Sequence, residues 1–298
     1  MSNMEEMDEI VTVWPDFVPD FVCKADKCRH SCCRGWEIDI DAATAAWYLT
    51  LDGEIGEELR QNIVQAEDGT YSFRLTPEER CPFLRADGLC RLILTLDEDA
   101  LCEICTMHPR FFVMCGQAEL AGFGLACEKA VELLFASKNP LTFLVEGRPE
   151  ARMEFPSLLL YLGLPSAVPA FEPELCPEKI HAVLQLMRQT EPIDEIWTSH
   201  MTSLISTEAK VLQRAQTYVK QFCQADFDRL QTYILYRQLG QSERFDFDQI
   251  LTYTRVNAMY IFLETAVTGD FHESVRRWSE QIEYSEENTD FLLCRAAL

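Results

Sequence analysis

Apolar residues recur at helical spacing in the last third of the chain. Phe227, Leu230 and Ile234 fall on one helical face, and Val256, Met259, Tyr260, Leu263 and Val267 repeat the pattern. A stripe of this kind is read as buried core before it is read as a cofactor box. Gly240 and Gly269 stand where such helices would end. The first third has a different rhythm. Trp36-Glu37-Ile38-Asp39-Ile40 alternates like a short strand, and Asp41 then caps a helix opening on Ala42-Ala43-Thr44-Ala45. A helix is expected over 54–65, and a second strand over 71–75, after the turn pair Asp68-Gly69.

Between these two stretches, Pro140, Pro149, Pro156, Pro165, Pro169, Pro173 and Pro177 recur too often for one long helix, although 155–162 can form a short one. The pattern therefore predicts a mainly α protein with a few short strands. Three regions are expected: a cysteine-rich region over 1–136, a proline-rich connecting segment over 137–177, and an all-helical region over 178–298.

Composition narrows the class. With 298 residues, 48% of them apolar, the chain can bury a sizeable core. No apolar run reaches the roughly 18–20 residues that span a bilayer, so a soluble protein without a transmembrane segment is expected. The net charge of −23 disfavours nucleic acid, whose phosphates need Lys and Arg. It suits a cationic substrate such as a lysine side chain, although acidity that merely maintains solubility is the commoner explanation. The N-terminus carries Glu5, Glu6, Asp8 and Glu9 in place of an apolar signal segment, so a cytoplasmic location is expected.

Cysteine changes the picture most. Ten of the 13 fall between Cys23 and Cys127, and Cys23, Cys28, Cys32 and Cys33 form a C-x4-C-x3-C-C run flanked by Lys24, Lys27, Arg29 and Arg34. Cationic neighbours lower thiol pKa, and the thiolate is the form that binds metal. A disulfide framework fits small secreted domains better than this chain, and an odd count cannot pair completely. Thiolate-only ligation selects iron–sulfur or zinc, and the spacing leaves both open. Neighbouring side chains diverge on extended or helical backbone, so Cys32 and Cys33 are not expected to be equivalent ligands of one ion. Cys102, Cys105 and His108 could bind zinc as C-x2-C and C-x2-H, but a packing role for His108 before Pro109 is preferred. No Cys–His–Asp/Asn arrangement for nucleophilic catalysis stands out.

Taken in order, these motifs resemble a known family. Cys23-x4-Cys28-x3-Cys32-Cys33-x2-Trp36-x-Ile38-x-Ile40-Asp41 comes first. Cys81-Pro82-Phe83-Leu84, Gly88-Leu89-Cys90, Cys105-x3-Pro109-Arg110 and Cys127-Glu128-x-Ala130 follow. Together they are similar to the flagellin lysine-N-methylase family, as are Leu230 to Tyr236 and Gln281 to Asn288 near the end. The resemblance implies transfer of a methyl group from S-adenosylmethionine to the ε-nitrogen of flagellin lysines, in the cytoplasm before export. It also implies an iron–sulfur cluster of the 4Fe–4S type, matched here by Cys23, Cys28, Cys32 and Cys33. Cys81, Cys90, Cys105 and Cys127 match the family's later cysteines, whereas Cys102 and Cys115 lie outside the pattern. The alternative is a zinc- or iron-chelating CxxxCC module with a structural or metal-handling role.

Two absences bear on mechanism. No G-x-G-x-x-G follows a strand, and Gly122-Phe123-Gly124 is too little for a Rossmann-like cofactor loop. The C-x3-C-x2-C triplet of radical enzymes fails at Gly35. A base is needed to deprotonate lysine. Glu283, Glu286 and Glu287 are candidates, weighed against a solvated acidic helix end, and no base or cofactor-binding residue is assigned.

Overall fold

The computed structural model describes residues 10–295, so the acidic stretch Glu5 to Glu9 lies outside the described residues. The chain divides into two compact units. One comprises residues 22–109. The other comprises 10–21 together with 110–295, so the smaller unit is inserted after the first strand of the larger.

That first strand, β1 (Val11–Pro15), sits where the sequence shows only an acidic leader. Its Val-Thr-Val-Trp composition suits a pleated, half-buried surface. In the smaller unit β2 (Asp39–Ile40) is shorter than the alternation suggests. Asp41 caps α1 (Ala42–Thr50) as expected, its carboxylate accepting from the Thr44 N–H at 2.9 Å. The helix expected over 54–65 is real only in part. Helix α2 (Gly53–Asn62) ends early, and β3 (Ile63–Gln65) pairs antiparallel with β4 (Tyr71–Phe73). Ile63 and Val64 are β-branched, and cross-strand pairing outweighs the weak helical preference of those three residues. Strand β4 also pairs with β2, giving a three-stranded sheet in the order β2-β4-β3. The short helices α3 (Arg91–Leu96) and α4 (Glu103–Met107) complete the unit. Its core contains Ile38, Ile40, Tyr48, Leu59, Phe73 and Phe83 together with Cys81 and Cys102.

The larger unit resumes with β5 (Arg110–Cys115) and β6 (Ala118–Phe123), then α5 (Glu128–Leu134). The proline-rich stretch holds a hairpin, β7 (Thr142–Val145) and β8 (Arg148–Glu154), followed by the anticipated short helix α6 (Phe155–Tyr161). These strands form a five-stranded sheet in the order β5-β6-β1-β7-β8, with β1 central, parallel to β6 and antiparallel to β7.

Seven helices follow: α7 (Pro177–Arg188), α8 (Glu195–Ser206), α9 (Glu208–Tyr218), α10 (Gln224–Gln238), α11 (Phe247–Thr268), α12 (Phe271–Trp278) and α13 (Glu286–Arg295). The mainly α reading with a helical C-terminal region therefore holds. Phe227, Leu230 and Ile234 are buried on α10, and the Met259-Tyr260-Leu263 stripe is buried on α11. Helix α11 opens with an Asp246–Gln249 capping box and ends at Gly269 in the left-handed conformation (φ +79°), as the sequence suggests. Gly240 does not end a helix in this way. It lies in a 3-10 turn over 239–243, where a Cβ would come within 2.8 Å of the Met114 carbonyl oxygen, so close backbone approach explains the glycine.

Helix α10 is fastened to the sheet by two buried tyrosines. The Tyr236 hydroxyl donates to the Val13 carbonyl (2.7 Å) and receives the Ala121 N–H (3.1 Å). The Tyr233 hydroxyl donates to the Phe123 carbonyl (2.6 Å) and receives the Phe123 N–H (2.8 Å). Gly122 and Gly124 have no loop role. A Cβ on Gly122 would collide with the Tyr233 hydroxyl at 2.8 Å, and one on Gly124 with the Tyr284 hydroxyl at 2.2 Å. No helix among the described residues is long and apolar enough to cross a membrane.

Candidate metal centre

The smaller unit brings cysteines from three separate sequence motifs together. The Cys81 N–H donates to the Cys33 carbonyl at 2.9 Å, and Gly35 N–H to Glu79 O at 2.8 Å, so the C-C segment and the Cys81 segment run side by side. A bridge between Leu84 and Cys90 folds the next motif back on the same segment. Cys102 caps α4 and Cys105 lies within it. The thiols of Cys33, Cys81, Cys90, Cys102 and Cys105 consequently interact. Charge on Cys33 raises the pKa of Cys81, Cys90 and Cys105, and charge on Cys102 raises that of Cys90 and Cys105.

The two members of the adjacent pair are unlike. Cys33 is half-buried and packs against the unit's core, whereas Cys32 is exposed. The Cys32 thiol hydrogen-bonds Cys33 and, with help from Ser31 and against the effect of burial, pulls the Cys33 thiol down to about 7. In the same way the Cys105 thiol stabilises a thiolate on Cys102, whose pKa is lowered, while its own is raised. Burial pushes Cys81 up to about 12 and raises Cys90. Within each pair one thiol hydrogen-bonds the other and makes it the easier of the two to ionise.

Other expected site residues lie further out or elsewhere. Cys23 is exposed and accepts the Ala25 N–H at 3.4 Å, and Cys28 is partly exposed. Cys127 belongs to the larger unit, at the N-cap of α5 against its core. Burial holds the His108 imidazole neutral by lowering its pKa to about 4, consistent with a packed histidine. Cys102, set outside the pattern by its motif, sits among the clustered thiols. Its C-x2-C spacing to Cys105 was the available signal. Cys115 is buried in the larger unit, 3.8 Å from the Ser242 hydroxyl.

Among the described residues no three Cys, His, Asp or Glu side chains are arranged as a closed metal site. What the structure supplies is the donor set: a concentration of soft thiols in a small core, with the pKa of Cys33 and of Cys102 lowered by a neighbouring thiol. That chemistry suits a thiophilic centre such as an iron–sulfur cluster or zinc.

The late carboxylates are accounted for without catalysis. Glu283 is buried, accepts the Leu125 N–H at 2.9 Å and the Ser279 hydroxyl, and pairs with Arg237 at 3.4 Å. It is an internal structural anion. Glu286 and Glu287 are exposed in the first turn of α13, where negative charge favours the helix dipole.

Comparison with known proteins gives three relatives over 109 residues, about 35% of this chain. Lysine-N-methylases of Salmonella choleraesuis (strain SC-B67) and Salmonella typhimurium (strain LT2) are each 32% identical, over 27% of their own length. The flagellar biosynthetic protein FliU of Salmonella muenchen is 34% identical, over 64% of its length. The chain thus spans about a quarter of those lysine-N-methylases and less than two thirds of FliU. No family profile and no solved structure matches it. Over those 109 residues the chain is similar to the lysine-N-methylases and to FliU.

Proposed function

We propose that this protein is an S-adenosylmethionine-dependent protein-lysine N-methyltransferase whose 22–109 unit holds an iron–sulfur cluster. Its substrate is flagellin or a similar bacterial surface protein, methylated in the cytoplasm. The observation that supports this reading most is the gathering of Cys33, Cys81, Cys90 and Cys105 in one small core, in a chain whose relatives are named lysine-N-methylase. Those four thiols, with Cys102 beside them and Cys23, Cys28 and Cys32 on the adjoining segment, are the residues that would hold the cluster. When bound, it would supply iron to the site and a covalent tie between segments that share few hydrogen bonds.

The reaction itself is simple to balance. The lysine nitrogen, once deprotonated, forms the new N–C bond, the methyl–sulfur bond of the donor breaks, and the sulfur keeps the electron pair. Glu283 is a poor candidate for the base that takes the lysine proton, because it is buried, with one oxygen accepting from Leu125 and Ser279 and the other ion-paired with Arg237.

The test is anaerobic purification of the full chain, followed by incubation with flagellin and S-adenosylmethionine. Methyl additions on flagellin lysines by mass spectrometry are expected. An intact cluster with no mass gain on flagellin would refute the substrate. A colourless zinc protein would favour the metal-handling alternative.

A further inference from the structure

The smaller unit has an open pocket of about 500 Å³ between the β2–β4 edge and α4. That volume falls in the range of ligand sites. Asp39, Tyr71, Glu103, Ile104 and Met107 form its working walls.

Its three carboxylates are not equivalent. Asp41 also borders the pocket but is structurally committed, one oxygen accepting the Thr44 N–H (2.9 Å) and the other the Glu103 N–H (3.0 Å). Asp39 and Glu103 are exposed and have no side-chain hydrogen bond or ion pair among the described residues. Facing them is apolar surface that this unit could have buried. Ile104 is 44% exposed, while Met107 and Tyr71 are half-buried. An apolar wall next to two uncompensated carboxylates complements a ligand with a hydrocarbon stem and a cationic tip. It opposes an anion at either end. The pocket is also open, which suits a side chain presented on another protein's surface better than a small cofactor, most of whose area is normally enclosed.

We propose that this pocket binds a substrate lysine side chain, with Tyr71, Ile104 and Met107 against its methylenes and Asp39 and Glu103 at its ammonium. The assignment rests on the lysine-methylase reading. It places the bound lysine on α4, the helix that carries Cys105 and is capped by Cys102. Two carboxylates hold the ammonium form, so the site captures the substrate and does not deprotonate it. Exposed ion pairs contribute little individually, so the contrast between cationic and neutral ligands is modest and fades with salt.

The experiment titrates the full-length, isotopically labelled protein with Nα-acetyl-lysine N-methylamide, its norleucine counterpart, and S-adenosylmethionine, following backbone amide shifts. The lysine probe is expected to move residues 39–42, 69–71 and 103–107, and the norleucine probe to bind about tenfold more weakly. The Asp39→Asn/Glu103→Gln double variant should bind the lysine probe about tenfold more weakly and the norleucine probe as before. Ile104→Ala should weaken both probes. Equal binding of the lysine probe by the double variant, or S-adenosylmethionine moving this same set of residues, would overturn the proposal. Failure of the underlying reading looks different. Flagellin methylation without lysine-probe shifts here would remove the pocket and keep the methylase, whereas carboxylate-dependent binding without any methylation would keep the pocket as a lysine site and remove the methylase.

Discussion

The two units solve the problem of a stable core by different means. The larger one uses aromatic bulk, with several buried polar side chains tied to backbone carbonyls. Trp278, Tyr233, Tyr236, Tyr253 and Phe262 are fully buried, and so is Arg229, whose guanidinium donates to the Leu134 and Asn139 carbonyls (2.7 and 2.6 Å). The smaller unit has strands of two or three residues and helices of ten residues or fewer, and it places thiols where the other places rings. Elements this short each bury little apolar surface, so a metal bound between them would add to the unit's stability.

If the 22–109 unit holds the proposed metal centre, the largest effect should come from removing it. Stripping bound metal, or making Cys33→Ser/Cys81→Ser, is expected to abolish amide protection across 33–105 while α10 and α11 keep theirs, as hydrogen exchange would show. Equal loss in both units would break the comparison. Next, within the larger unit, Glu283→Ala should cost about 1–3 kcal/mol in chemical denaturation, because the Leu125 N–H and the Ser279 hydroxyl lose their buried acceptor and the half-buried Arg237 loses its ion-pair partner. Tyr236→Phe should cost about 1–3 kcal/mol by the same measurement, since Val13 and Ala121 lose their common hydrogen-bond partner in a dry interior.

The smallest expected effect is pH-dependent. His200 Nε2 lies 2.7 Å from Glu264, and that hydrogen bond raises the His200 pKa against the opposing effects of burial and Arg277. A raised histidine pKa contributes stability that is complete below the unfolded value of about 6.5 and disappears as pH rises through the folded value. The Tm gap between the protein and its His200→Gln variant should therefore be wider at about pH 5.5 than at about pH 8.5. A gap that widens toward alkaline pH would contradict the assignment.

Local signals were legible and long-range pairing was not. Asp41, the α10 and α11 stripes and Gly269 announce themselves because capping, helical periodicity and left-handed backbone are set by residues a turn apart. The five-stranded sheet is silent by comparison. Its central strand β1 lies in what reads as an acidic leader and pairs with residues more than a hundred positions away. Strands β7 and β8 are masked by prolines that lie outside or beside the pairing, and β3 by its continuity with α2. The thiol region was legible as chemistry, but its division of labour was not. Only the fold turns Cys33 inward to the later cysteines and leaves Cys32 outside, and only the fold brings Cys102 into the group.

The most direct test of the central claim is the iron, sulfide and zinc content of the anaerobically purified full chain, measured beside Cys33→Ser. The account predicts iron and sulfide together, with absorbance near 400 nm that bleaches on reduction, and loss of both in the variant. Zinc without sulfide, or a cluster retained in full by Cys33→Ser, would contradict it.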